Sequence, residues 1–288
     1  MTKITIATPA FGELFYSSYV RSLFRLTQAL GQRKWQSTFA SVSYSDIVES
    51  RNYLLTYWYD KTDSTHLLFL DADMGYPAQL ILDMVDLNKP VVGVIYPKRQ
   101  IDLERIAQLS ASGNPSKRAI ARAHDYIVRR ERGTATQRKN GFITVDGCGT
   151  GIMLIARTAV DAMLAAMPDL SDTEGAKGTP LATGLDRMIR AFQPVRVGGK
   201  LLSEDFSFCH RWRQCKGEIW VNTTYEIEHV GVHRFKARYD DRGPQLSVNI
   251  PLGDKLAIAS QPKSRRVATG TIPMPGKAKS KLSVKVRE

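Results

Sequence analysis

Short continuous apolar runs alternate with segments of helical period along most of the chain. Lys3-Ile-Thr-Ile-Ala-Thr-Pro-Ala reads as a buried strand that stops at Pro9, where the ladder loses an N–H. A helical stretch over Glu13–Leu30 follows, then a short strand near Ser37–Ser43. Asp46 suits the N-cap of a second helix carrying Ile47, Leu54, Leu55 and Trp58. His66–Leu70 is a second buried strand, ending at Asp71-Ala-Asp73, and Pro77 suits the first turn of the helix through Leu80, Ile81, Met84 and Val85. Val91–Tyr96 is another apolar strand. Uninterrupted apolar strands between amphipathic helices predict an α/β fold with a mainly parallel central sheet flanked by helices.

Residues 98–140 break this rhythm. They are rich in Arg and Lys, with a helix expected over Ser116–Arg132, and read as an insertion or flap. Strands resume at Phe142–Val145 and Ile152–Ala156, with Gly147-Cys-Gly-Thr-Gly151 between them. A helix is expected over Thr158–Met167, a loop over Leu170–Pro180, and a helix over Ser203–Cys215. The strand Glu218–Asn222 and an extended piece ending at His229 complete a domain of residues 1–240. Over 241–288 proline, glycine and lysine become frequent and aromatics vanish, which predicts an extended basic tail. No internal repeat occurs.

Composition narrows the class. With 288 residues and 43% apolar content the chain can bury a large core and is not of disordered type. Cys148, Cys209 and Cys215 form a sparse, odd set without a CxxC pair, which fits a reducing, cytoplasmic compartment and excludes a cysteine zinc site. No run approaches the roughly 20 apolar residues of a membrane helix, and the N-terminus does not read as a secretory signal. Net charge is +13, of which residues 261–288 contribute eight basic side chains against Glu288. A basic surface attracts phosphorylated ligands, nucleic acid or anionic lipid, although charge of this kind also serves simply as a solvated face.

Four places carry candidate chemistry. Asp71 and Asp73 emerge together from a buried strand, at the end where α/β sheets bind ligands. Two converging carboxylates repel unless a cation compensates, and Mg²⁺ or Mn²⁺ shared with phosphate oxygens is the natural solution; a capping Asp beside a solvated one is the plainer one. Glu204 and Asp205 open a helix, where the dipole favours them as caps and where a fixed carboxylate can act as a general base. His229 ends a strand and could join a manganese set or merely be a satisfied hydrogen-bonding residue. The glycine loop does not follow GxGxxG, so it reads as a close approach of backbone to substrate. No GxxxxGK[ST] sequence occurs, which removes a P-loop nucleotide hydrolase.

In this order, Leu70-Asp71-Ala-Asp73, Gly147-Cys-Gly-Thr-Gly151, Ser203-Glu204-Asp205 and His229-Val-Gly231 resemble the motifs of GT-A-type glycosyltransferases, the nucleotide-diphospho-sugar transferases. The likeness spans roughly residues 3–235, and Leu202-Ser-Glu-Asp-Phe-Ser-Phe-Cys-His-Arg-Trp carries most of it. Glu49-Ser-Arg-Asn52 also resembles an Arg-Asn pair of several GT-A branches. The resemblance implies a Rossmann-like GT-A fold and a metal-dependent transfer of sugar from a nucleotide-sugar donor to a hydroxyl acceptor. It implies Asp73 and His229 as ligands of Mn²⁺ or Mg²⁺, with Asp71 on metal or donor ribose. Thr8, Pro9, Ala10 and Ala72 would line the nucleotide side, with Arg51 and Asn52 supporting the donor. Asp205 would be the base of an inverting reaction, Glu204 would assist acceptor placement, and Gly149, Thr150 and Gly151 would shape the acceptor side. Competing readings are a nucleotidyltransferase on the same fold and a non-catalytic nucleic-acid-binding module. A nucleic-acid acceptor guided by the basic tail combines transfer with the charge.

Overall fold

A computed structural model describes residues 1–113, 116–130, 135–178, 180–182 and 184–232 of the chain. The expected tail over 241–288 lies outside them. The main strands are β1 (Lys3–Pro9), β2 (Gln36–Val42), β3 (His66–Leu70), β4 (Val91–Val94), β5 (Arg138–Lys139), β6 (Phe142–Val145), β7 (Ile152–Ala156) and β8 (Ile219–Asn222). The helices are α1 (Ser17–Gln32), α2 (Ile47–Lys61), α3 (Ala78–Asp86), α4 (Leu103–Ala111), α5 (Ser116–Ala123), α6 (Arg157–Ala166), α7 (Thr173–Gly178) and α8 (Glu204–Gln214).

The eight strands form one sheet in the order β2-β1-β3-β7-β4-β8-β6-β5. Six run in one direction, and only β6 and β7 oppose them. Alternation sends Leu68 and Leu70 into a layer with Leu26 and Leu30 of α1 and Leu80 of α3. Leu67 and Phe69 go to the other face, against Leu54 and Trp58 of α2, Val160 of α6 and Phe208 of α8. Covering both faces is why these strands read as unbroken apolar runs. The last four side chains of β3 are wholly buried. At about 1.5–3 kcal/mol for each large apolar side chain, their gross burial is on the order of 10 kcal/mol before chain entropy. The strand that delivers Asp71 and Asp73 is therefore firmly fixed.

The direction of β7 follows from the loop before it. Residues Gly147–Gly151 cross one face of the sheet beneath Gly93, where a Cβ would stand 2.8 Å from the Cys148 Sγ, and reach the carboxyl end of β3. Ile152 then pairs with Leu70, so β7 can only run back, antiparallel to β3 and β4.

Asp46 caps α2 as expected, its Oδ1 accepting from the Val48 and Glu49 N–H groups at 2.8 and 3.2 Å. Two expectations fail. The helix expected from Ser116 to Arg132 ends at Ala123, because the chain instead pairs Val128–Arg129 with Gly147–Cys148; its Arg132 end lies outside the described residues. The expected loop over Leu170–Pro180 contains Ser171–Asp172, paired with Met188–Ile189, and then α7. There a polar, glycine-containing sequence is held by tertiary pairing and by the Asp172 carboxylate, which accepts from the Gly175 N–H at 2.7 Å. No helix among the described residues is long and apolar enough to cross a membrane.

Candidate active site

The chain turns directly after β3. The Asp71 N–H donates to the Gly151 carbonyl at 2.9 Å, and the Met74 N–H closes back on the Asp71 carbonyl at 3.1 Å. This turn ends strand alternation and gives the two aspartates different partners. Asp71 faces Arg51 of α2, accepting a two-pronged bond from Nη1 and Nη2 at 3.1 Å each. Asp73 faces the opposite partner set described below.

Arg51 is the hub of the interior side. Only 3% of its side chain is exposed, and besides Asp71 it lies 3.8 Å from Glu204 Oε1 and 3.8 Å from Asp205 Oδ1. Burial alone would weaken its positive charge, but three surrounding carboxylates outweigh burial and hold it protonated. Glu204 and Asp205 stand at the first turn of α8. Ser203, the N-cap residue, makes no side-chain capping bond; Asp205 Oδ1 accepts the Thr150 N–H at 3.2 Å and so ties α8 to the glycine loop. Burial raises both carboxyls above the ordinary range, for Glu204 with help from Asp205; Arg51 opposes the shift in each. Both remain partly accessible, at 18% and 15% of their side chains. A basic, fixed, partly accessible carboxylate is what a general base requires.

Asp73 and His229 are brought together by a two-strand ribbon in which Met74–Gly75 pairs with Glu228–His229. The Val230 N–H donates to the Asp73 carbonyl at 2.9 Å. His229 Nδ1 lies 2.8 Å from the Pro97 carbonyl, which can only accept, so Nδ1 carries the proton. Its Nε2 is thereby turned to Asp73 Oδ2, 3.5 Å away. Burial works against the imidazolium, yet the Asp73 and Pro97 oxygens prevail and raise the His229 pKa. Arg99 Nη1 donates to the same Asp73 oxygen at 2.9 Å.

The His229 Nε2 and the Asp73 carboxylate offer two donors to a divalent ion, which would take the Asp73 oxygen now held by Arg99, and a carbonyl on Nδ1 is the usual support of a ligating histidine. Among the described residues no three His, Cys, Asp or Glu side chains are grouped for metal binding, so two protein ligands would leave the remaining positions to substrate oxygens and water.

Tyr96 is the site residue that the sequence hid, because it ends an apolar run and reads as core. Its ring stands edge-on to His229, with centroids 5.3 Å apart, and its hydroxyl accepts the Gly151 N–H at 3.0 Å. Burial raises the phenol's pKa strongly, and Asp205 and Asp71 add to the rise. A Cβ on Gly149 or Gly151 would stand 2.2 or 2.7 Å from that hydroxyl. Glycine is thus required here by Tyr96, where the sequence suggested room for substrate.

The residues expected on a nucleotide side lie at the carboxyl end of β1 and in the turn after β3. Thr8 Oγ1 and the Tyr19 hydroxyl are 2.5 Å apart and buried, while the Ala10 N–H donates to the Val42 carbonyl at 2.9 Å. Ala10, Glu13, Phe15 and Ser41–Ser43 surround a cavity of about 370 Å³. Pro9 ends β1, and the Ala72 carbonyl accepts the Tyr16 N–H at 3.0 Å. Asn52, expected beside the donor, is wholly buried, and its Oδ1 accepts the Phe192 N–H at 2.9 Å; it fastens the segment after Ile189 to α2.

No family model matches the chain, and no curated protein matches it in sequence. Solved structures with a similar arrangement include A197 from STIV, with 12% identity, a TM-score of 0.40 and coverage of 83% of this chain and 100% of that one. A Drosophila beta-1,4-galactosyltransferase 7 mutant, in complex with manganese, UDP-Gal and xylobiose, has 10% identity, a TM-score of 0.38 and coverage of 84% and 79%. Mannose-1-phosphate geranyltransferase from Thermus thermophilus has 10% identity, a TM-score of 0.43 and coverage of 80% and 76%.

Proposed function

We propose that the chain is a metal-dependent glycosyltransferase that moves a sugar from a nucleotide-diphosphate donor to a hydroxyl-bearing acceptor. The observation that carries this reading is the meeting of Asp73 and His229 within 3.5 Å, next to a second carboxylate cluster anchored on Arg51. Asp73 and His229 would hold Mn²⁺ or Mg²⁺. When bound, such an ion supplies positive charge to a diphosphate leaving group.

The chain's own residues account for the remaining roles. Ala10 borders the cavity available to the nucleoside, Thr8 and Pro9 lead up to it at the end of β1, and Ala72 keeps the turn between the two aspartates. Asp71 acts through Arg51, whose charge keeps Glu204 and Asp205 ionisable in a buried setting. Asp205 takes the acceptor hydroxyl's proton as that oxygen bonds to the anomeric carbon and the bond from that carbon to the diphosphate oxygen breaks. Glu204 would lie beside it towards the acceptor, and Gly149, Thr150 and Gly151, tied to α8 through the Thr150 N–H, would flank the acceptor. A triphosphate-using nucleotidyltransferase is less well supported, since Thr8-Pro-Ala-Phe-Gly12 after β1 carries no basic side chain.

The test is a panel of nucleotide sugars screened for thermal stabilisation with and without Mn²⁺, followed by donor hydrolysis. A donor present at 100 times its Kd should stabilise by about 2.7 kcal/mol, and only with the ion present. Asp73→Ala should abolish both stabilisation and hydrolysis while the apo protein remains folded. Metal-independent turnover that survives in folded Asp73→Ala would remove this reading.

A further inference from the structure

The positive charge of the chain is unevenly placed. Residues 98–140 hold eleven Lys and Arg against four Asp and Glu, a net +7, whereas residues 1–260 as a whole carry only +6. Outside that insertion the same body is therefore net −1. The second half of the insertion is tied to the candidate site. Val128–Arg129 pairs with Gly147–Cys148, the start of the glycine loop, and β5 is the exposed edge of the main sheet.

Along α8, Phe206, His210 and Arg213 stand at helical spacing and share one face. With Arg129, Asp146 and Val197 they line a cleft of about 210 Å³. Arg213 donates to the buried Asp146 carboxylate at 2.8 Å, and the Phe206 ring packs so closely on Gly147 that a Cβ there would stand 2.7 Å away. The cleft and the candidate base thus occupy different faces of the same first turns of α8, about 100° apart. Arg129 lines the cleft, and Arg130, Arg138 and Lys139 in the insertion and Arg196 and Lys200 on the ribbon of Val197 are exposed as well.

We infer that this face binds nucleic acid, whose phosphates would lie along the basic edge and lead a hydroxyl-bearing nucleotide to Asp205. The acceptor role rests on the glycosyltransferase reading; the binding does not. Charge complementarity favours a polyanion. Among the described residues Ile101, Leu103, Ile120 and Tyr126 of the insertion and Leu201 beside the cleft are exposed apolar side chains, so anionic vesicles are the necessary comparison.

Fluorescence anisotropy of the full chain with labelled 30-nucleotide single-stranded and duplex DNA, between 50 and 200 mM salt, tests this without any sugar donor. Arg130→Gln, Arg138→Gln and Lys139→Gln combined should weaken binding and shallow the plot of log affinity against log salt by roughly 2 for single strands and roughly 2.7 for duplex. Arg21→Gln, Arg25→Gln and Lys34→Gln combined remove equal charge from α1 and its end, and should leave the slope unchanged. If the first triple variant does not fold, Arg138→Gln and Lys139→Gln singly should each give about a third of the change. No DNA binding by the unaltered chain at 50 mM salt overturns the inference, as does equal loss in both triple variants. Binding confined to anionic vesicles would assign the face to membrane and overturn it as well. A failed donor panel with intact DNA binding would remove sugar transfer and keep this surface; the reverse would keep the enzyme and remove nucleic acid as its acceptor.

Discussion

Replacing Arg51 by methionine tests the architecture of the site most directly. Arg51→Met preserves much of the side chain's volume and removes the one buried cation shared by Asp71, Glu204 and Asp205. All three carboxylates are less than a third exposed, so water screens their loss only in part. Breaking a buried pair by deleting one partner costs about 3–5 kcal/mol, because the remaining charge is left uncompensated. For a domain of this size that corresponds to a fall of roughly 6–20 °C in Tm at neutral pH, at about 2–4 °C per kcal/mol. The pH dependence supplies a second, sharper signature. The folded pKa values of Glu204 and Asp205 already lie above their unfolded ones, so their protonated forms favour the native state and ionisation disfavours it. Their stabilising share is present at low pH and fades as pH rises through the folded values. Without Arg51 both pKa values rise further, so the variant's deficit should shrink on going from pH 7.5 to pH 5. Differential scanning calorimetry of both proteins at the two pH values measures this. A Tm within 2 °C of the unaltered protein at pH 7.5, or a deficit that fails to shrink at pH 5, would refute the reasoning.

Two further outcomes follow from the same geometry. Gly149→Ala would drive a Cβ to 2.2 Å from the Tyr96 hydroxyl, a clash with a buried ring that should cost roughly 1–3 kcal/mol by overpacking; a thermal melt checks the loss, and Gly149→Ala combined with Tyr96→Phe should recover part of it. If Asp205 is the base, kcat/KM should fall on the acid side with a midpoint above the ordinary aspartate range, since burial raises that carboxyl; a pH profile of transfer measures it, and Asp205→Asn should lose transfer while keeping donor binding.

How much of the site was legible depended on whether the signal was local. A buried run followed by an acidic pair placed Asp71 and Asp73 at the carboxyl end of β3, and an acidic pair before aromatic positions placed Glu204 and Asp205 at the start of α8. Of the residues that organise these groups, Arg51 was legible only through its likeness to an Arg-Asn pair, and Tyr96 gave no sign. Arg51 lies in a helix of mixed pattern and is buried against the usual habit of arginine, which only its three distant partners explain. Tyr96 looked like the end of a core strand, because no pattern within that run tells that a glycine loop will fold over its hydroxyl.

The sequence by itself determined the class of fold, most of the strands and helices, and which carboxylates stand at element ends, because side-chain period and capping are properties of neighbouring residues. Only the tertiary structure decided that β7 runs backwards, that Asp71 turns to Arg51 while Asp73 turns to His229, and that the basic insertion abuts the glycine loop. Those outcomes depend on pairing between residues far apart in the chain, and the free energy of such pairing belongs to the assembled core and not to any stretch of it.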